Sequence, residues 1–112
     1  MKSVSVKRSG GPEVLELTEI EVPAVGQYEV LIEVEAAGVN RPDILQRQGL
    51  YKVPLGASQV PGLEVSGRVV KVGKHVNKEW LDKKVVALTH GGGYAEYCAV
   101  NVDHCLGWPR EM

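Results

Sequence analysis

The residues of this chain best placed to do chemistry lie in "GVNRPDILQRQGLYKVP". Here Asn40 follows an apolar, strand-like segment and Tyr51 follows a short amphipathic one. Each also has a purely structural use. Asparagine is a common helix N-cap, worth about 1 kcal/mol, and Tyr51, in a polar loop with Lys52 and Pro54, reads as an amphipathic surface aromatic. A third candidate sits in "VPGLEVSGRVV", where Glu64 lies between Gly62 and Gly67 inside an apolar strand pattern. A carboxylate there must be paired, hydrogen-bonded or protonated. A structural ion pair is the expectation, although perturbed carboxylates also point to sites. The flanking glycines allow another backbone to approach closely.

The remaining chemistry-bearing types do not assemble into a local motif. "HGGGYAEY" has three glycines before a strand, whereas a P-loop needs Gly-Lys-Ser/Thr and a dinucleotide fingerprint needs GxGxxG between strand and helix. It is expected to be a tight turn whose bare backbone packs against a neighbour. His75, His90, His104, Cys98 and Cys105 show none of the HxxxH, CxxC or HExxH spacings of a zinc motif. No GxSxG offers a nucleophile elbow.

Mostly β structure must position these residues. "VSVK" and "EVLELTEIEVP" alternate at period two and predict two short strands with Val14, Leu15, Leu17, Ile20 and Val22 on the apolar side, the frame slipping once near Leu15. "YEVLIEVEAAGV" is the clearest strand, with Val30, Ile32 and Val34 on one face, glutamates mostly on the other, and Gly38 ending or bulging it. "LEVSGRVVKVG", "KKVVALT" and "YAEYCAV" bring the set to about six strands. Such short strands with Gly- and Pro-bearing connections suggest a small barrel or sandwich. One helix is expected over 41–48, capped by Asn40, started by Pro42, favoured by Asp43 at its positive end and stopped by Gly49.

With 112 residues the chain has the length of one domain and needs no disulfide or metal staple. Its 13 Lys and Arg against 14 Asp and Glu are scattered, which removes the electrostatic footprint of nucleic-acid or anionic-membrane binding. The cysteines are expected to be free thiols, there is neither a leader pattern nor an apolar run near the ~20 residues a span requires, and a cytoplasmic protein is the expectation.

Taken together, "AAGVNRPDILQRQGLYKVPLGAS", "PGLEVSGRVVKVG" and "VVALTHGGGYAEYCAV" resemble the N-terminal, GroES-like domain of the medium-chain dehydrogenase/reductase superfamily, and within it the zinc-independent quinone oxidoreductases, the branch that includes zeta-crystallin. The likeness covers nearly the whole chain. Zinc-dependent members carry Cys-His where this chain has Asn40-Arg41 and Gly-His-Glu where it has Gly62-Leu63-Glu64, so only Glu64 remains of that set. Two local departures fall at turns. Asp82-Lys83 stands where a Gly-Asp turn is usual, and Asn101 and Gly107 stand where prolines are.

The resemblance implies a mainly β, GroES-like, partly open barrel that forms the substrate side of an NADPH-dependent, metal-free reductase of quinones or related activated carbonyls. It implies that Asn40 and Tyr51 lie near the nicotinamide and the substrate, serving catalysis and cofactor binding alike. Asn40 would hold the nicotinamide carboxamide and the Tyr51 phenol would donate to a developing quinone oxyanion. Family members continue into a Rossmann domain that these residues do not contain, so the chain alone is expected not to turn over. In isolation it is expected to be a monomer or a loose dimer through unpaired edges. A rival reading is a stand-alone GroES-like assembly module, for which "YKVPLGASQVP" is a long enough loop but lacks a co-chaperonin's sequence.

Overall fold

A computed structural model describes residues 1–50, 58 and 60–108. Along the chain run β1 (Lys2–Val6), a 3-10 turn at Pro12–Val14, β2 (Leu15–Glu19), β3 (Glu29–Ala37), the helix α1 (Arg41–Arg47) and β4 (Glu64–Val72). A 3-10 turn at Lys78–Trp80, β5 (Lys84–Leu88), β6 (Tyr97–Asn101), a 3-10 turn at Val102–His104 and β7 (Cys105–Gly107) follow. Strand and helix thus match the sequence reading in kind, with β7 as an addition. Tyr51, one of the two residues singled out for the site, lies outside the described residues.

The strands form a sheet of order β6-β3-β4-β5-β7 and a separate ribbon β1-β2, and neither sheet closes on itself. All the pairings are antiparallel. Because side chains alternate across a pleat, the register brings Val30, Ile32, Val65, Val69, Val85, Ala87, Cys98, Val100 and Cys105 to one face, and these residues are the core. The strand that periodicity marks most clearly, β3, buries Val30 and Ile32 completely. Gly67 permits the tightest contact of the sheet, since a Cβ there would collide with the carbonyl oxygen of Glu33 on β3.

The β1-β2 ribbon departs from expectation. Val14 alone of the five apolar residues assigned inward is buried, while Leu15, Leu17, Ile20 and Val22 are exposed, Leu17 by 74%. The frame slip near Leu15 marks the end of the Pro12–Val14 turn, where Val14 still points to the interior and β2 starts afresh. The two short strands expected here are β1 and β2, and none forms between Glu19 and Glu29. The ribbon joins the sheet through a bridge between Ser3 and Ala95, with Val4 N–H donating to the Tyr94 carbonyl (2.8 Å).

α1 ends where glycine permits it, with Gly49 at φ 79°. Its last turn is tied to the preceding loop by Arg47 Nε donating to the Gly10 carbonyl (3.1 Å) and Gly10 N–H donating to the Arg47 carbonyl (2.9 Å). Among the described residues no helix is long and apolar enough to cross a membrane.

The two turn departures have physical consequences. Asn101 caps the turn that follows it, its Oδ1 accepting from Asp103 N–H (2.9 Å). Asp82 sits at φ 65°, in the left-handed region that costs a side chain about 1–2 kcal/mol. Its only described compensation is a 3.5 Å pairing with Arg68 in which both groups are well exposed, and such pairs contribute little. Asp82→Gly is therefore expected to raise stability by about 0.5–1 kcal/mol, read from the urea midpoint, despite the entropy that glycine adds to the unfolded chain. A lowered midpoint would show that Arg68 pairing outweighs the strain.

Both cysteines are free and buried. Burial pushes the Cys98 thiol up to about 11, with the charges of Glu29 and Cys105 adding to it and a Thr89 hydrogen bond opposing, and burial pushes Cys105 up to about 11 as well. Since these values lie above the ordinary 9.0, stability from the protonated thiols is complete below about pH 9 and is lost as pH rises through about 11. Urea midpoints should decline across that window, and a Cys98→Ala/Cys105→Ala double variant, weaker at neutral pH, should show a flatter decline.

Candidate functional site

The site grows from the crowded end of β3. There the chain leaves the sheet at Gly38, turns through Val39 and starts α1 at Asn40, whose extended backbone (φ −123°, ψ 162°) is that of an N-cap. Asn40 and Asp43 have the spacing of a capping box, of which the Asp43 half is made: Asn40 N–H donates to Asp43 Oδ2 (2.9 Å). Asp43 N–H donates to the Asn40 backbone carbonyl (3.0 Å), and no side-chain hydrogen bond from Asn40 caps the helix. Pro42, without an N–H, occupies the first turn, where none is needed.

Asp43 does more than cap. It is 5% exposed, and its carboxylate also accepts from Gly62 N–H through Oδ1 (3.2 Å) and from the Tyr94 phenol through Oδ2 (2.8 Å). Burying a carboxylate is costly unless its lone pairs are met. Three donors from three separate segments meet them here. The Tyr94 hydroxyl also lies 3.2 Å from the Gly38 carbonyl, so the single phenolic proton is aimed mainly at Asp43 and secondarily at the end of β3. Burial, then the hydrogen bond to Asp43 and its charge, push the Tyr94 phenol well above the ordinary tyrosine range, which keeps it a donor.

The triple glycine explains how Tyr94 reaches this position. Gly92 N–H donates to the Val60 carbonyl (2.7 Å), Gly93 N–H to Gly62 (3.0 Å) and Tyr94 N–H to Pro61 (3.0 Å). The loop packs backbone to backbone against residues 60–62, as the sequence suggests. Those three N–H groups, which a phosphate would require, are spent on carbonyls.

Around Gly38 the polar groups converge. A Cβ at Gly38 would run into Glu64 Oε1 and lie 3.4 Å from Asn40 Nδ2. Glu64 opens β4 on the face opposite to Val65, half-buried; its carbonyl accepts from Gly38 N–H (2.9 Å), and its carboxylate has no ion-pair or hydrogen-bond partner among the described residues. The expected ion pair is thus not made among the described residues. The alternation that carries Val65 and Gly67 to the core turns Glu64 and Ser66 to the outer face. There an open cleft of about 350 Å³ runs between Ala36–Gly38, Glu64–Ser66, Val86 and Trp108. The Trp108 indole is fixed as a wall by its Nε1 donating to the Val85 carbonyl (2.9 Å), and Lys84 Nζ lies 5.4 Å from its ring centre.

Of the residues that the sequence brings forward, Glu64 lines this cleft and Asn40 stands next to it, its amide beside Gly38. Tyr94 was missed as a residue, although the glycines before it signalled close backbone packing. As an acidic residue in the first turn, Asp43 also favours the helix end. Its spacing three residues after Asn40 is the capping-box signature, and that signal was available. Elsewhere His90 and His104 meet edge to face with ring centres 6.1 Å apart. Among the described residues no three of His, Cys, Asp and Glu gather in a cluster that could hold a metal ion.

A dinucleotide would be only partly accommodated by these residues. All described strand pairings are antiparallel, so they contain no βαβ unit to receive a pyrophosphate. The Asn40 amide beside an open, largely apolar cleft suits the flat carboxamide-bearing end of such a ligand.

Comparison with known proteins gives a consistent picture. Residues 26–110 match the family described as the alcohol dehydrogenase GroES-like domain. The quinone oxidoreductase of Lama guanicoe is 40% identical over 108 residues, which cover 95% of this chain and 32% of that protein. Among solved structures, the human synaptic vesicle membrane protein VAT-1 homolog-like protein has a TM-score of 0.91 at 30% identity, covering 100% of this chain and 36% of the other. A mycobacterial protein solved in complex with NADPH has a TM-score of 0.87 at 32% identity, covering 100% of this chain and 35% of the other. The chain spans about a third of the length of the proteins it matches.

Gly62 is the most constrained residue of the site. It sits at φ 105°, and a Cβ there would lie 2.7 Å from Tyr94 N and 2.8 Å from Gly93 Cα, backbone atoms that cannot swing aside. Gly62→Ala should cost about 2–4 kcal/mol in chemical denaturation. A loss below about 1 kcal/mol would mean that the loop carrying Tyr94 yields freely.

Proposed function

The chain belongs to the alcohol dehydrogenase GroES-like domain family, and we propose that it forms the substrate-side wall of a quinone oxidoreductase of the medium-chain dehydrogenase/reductase superfamily. In this reading the reaction is a metal-free, NADPH-dependent reduction of a quinone or related activated carbonyl. The observation that carries the proposal is the convergence of the Asn40 amide and the Glu64 carboxylate on Gly38, at the end of an open cleft. Around them the cleft walls are largely apolar, as a flat, uncharged acceptor requires.

The chemistry that NADPH supplies when bound is hydride transfer, and a proton from water completes the hydroquinone. The rest of the work falls to positioning and exclusion of water. Asn40 both donates and accepts, which matches a nicotinamide carboxamide. Tyr51 is assigned as donor to the quinone oxygen that gains charge. Where zinc enzymes of the superfamily place Cys-His, Asn40-Arg41 offers no soft ligand, and this supports a reaction without zinc. The pyrophosphate and the adenine end must be held by residues outside those described, since the strands here are antiparallel throughout.

The test is steady-state reduction of a simple quinone by the intact protein. Asn40→Ala is expected to lower kcat about 10- to 100-fold and Tyr51→Phe about 10-fold, scaled to the loss of one aimed hydrogen bond in a transition state. Chelators should leave the rate unchanged. Full activity in Asn40→Ala, or activity abolished by a chelator and restored by zinc, would overturn the reading.

A further inference from the structure

The geometry around α1 assigns a role to a residue that the proposed reaction does not itself require. We propose that Tyr94 is a positioning residue: its phenol clamps the Asp43 carboxylate against the Asn40 N–H and so fixes the direction in which the Asn40 amide leaves the helix. The inference rests on the reading of Asn40 as a cofactor contact.

Three observations carry it. The first is the chain of contacts itself, from the Tyr94 hydroxyl to Asp43 Oδ2 (2.8 Å) and from that same oxygen to Asn40 N–H (2.9 Å). One oxygen serves both donors, so displacement of the carboxylate moves the backbone of Asn40. The second is that the other carboxylate oxygen is held by Gly62 N–H (3.2 Å), two residues before Glu64. The clamp thereby sets both polar groups that meet over Gly38. The third is that Tyr94 is itself anchored from both sides. Its N–H donates to Pro61 (3.0 Å), its carbonyl accepts from Val4 N–H (2.8 Å), and its hydroxyl touches the Gly38 carbonyl (3.2 Å). A side chain held at both ends transmits position with little slack. An error of about 1 Å in aiming a reacting group can cost on the order of 100-fold in rate.

Tyr94→Phe keeps the ring and removes only the hydroxyl, leaving Asp43 two of its three donors. In the intact protein this variant should remain folded, bind NADPH within about twofold of the parent by fluorescence titration, and lose about 5- to 10-fold in kcat for quinone reduction. Hydrogen exchange at the Asn40 N–H should accelerate. In an Asn40→Ala background the same substitution should cost nothing further, because a residue that acts through Asn40 has nothing left to position.

The outcomes separate the two levels of the proposal. If Asn40→Ala slows the reaction but Tyr94→Phe does not, or if the two losses multiply, the positioning role fails and the reading of Asn40 stands. If Asn40→Ala leaves the rate intact, the reading of Asn40 fails and takes the positioning role with it. Unchanged exchange at Asn40 in Tyr94→Phe overturns the clamp whatever the kinetics. Should Tyr94→Phe not fold, Asp43→Asn loosens the same clamp from its other end and must give the same loss and the same non-additivity.

Discussion

Asp43 is nearly inaccessible to water, and no cation stands beside it among the described residues. Removing a carboxylate from water costs several kcal/mol even after relaxation. Hydrogen bonds to charged groups return about 1.5–3 kcal/mol each, so three of them bring the balance close to even. The consequence is geometric more than energetic. Such a group tolerates only one arrangement of its donors, and those donors belong to the start of α1, to the approach to β4 and to the glycine loop before β6. The loop also carries the β1-β2 ribbon through Val4 and Ser3. Three parts of the chain thus meet at one side chain, and the ribbon follows through backbone bonds to the loop.

The sheet supplies the rigid frame against which this node works. Its core face is almost purely aliphatic, with Val30, Ile32, Val65, Val69, Val85 and Val100 essentially without exposure. β-Branched side chains suit a pleated surface and leave few rotamers to sample. Strict alternation then decides where polar chemistry can stand. With Val65 committed to the interior, Glu64 and Ser66 have only the outer face, and the cleft forms there. The bulges in the β3-β4 register at Leu31/Ile32 and Val34/Ala36 lie on the path to Gly38, and such irregularities twist a strand end away from the flat sheet. Burial of the valines and exposure of the site follow from one constraint.

Much of this was legible in residue types. Period-two alternation located β3, β4 and β5 because one face of each lies on the valine core, so inward and outward have unambiguous meanings. The same alternation misled at β2. Leu15, Leu17, Val4 and Val6 do share a face, as the pairing of Val4 with Leu17 and Val6 with Leu15 requires, but that face is only partly covered, with Val4 and Val6 half-buried and both leucines exposed. Pattern reports which residues lie together and is silent on whether a second layer is there to bury them. β7 escaped notice because three residues that read Cys-Leu-Gly carry no period at all, and only pairing to β5 defines them.

For the site, local signals reached as far as local structure does. Asn40, Pro42 and Gly49 mark the helix because capping and termination depend on neighbours in sequence. The Asp43–Tyr94 contact spans residues 51 apart in the chain, and no periodicity or spacing encodes it. What the sequence does encode is the permission for that contact. Gly62 and Gly91, with φ 105° and 135°, let backbones run side by side where a Cβ would lie 2.7 Å from a backbone atom, and Gly92 supplies a further left-handed residue at φ 89°. Glycines in "PGLEVSG" and "HGGGY" thus announce that two segments will meet while leaving open what they bring together. The answer, a phenol set against a buried carboxylate at the root of Asn40, had to come from the folded arrangement.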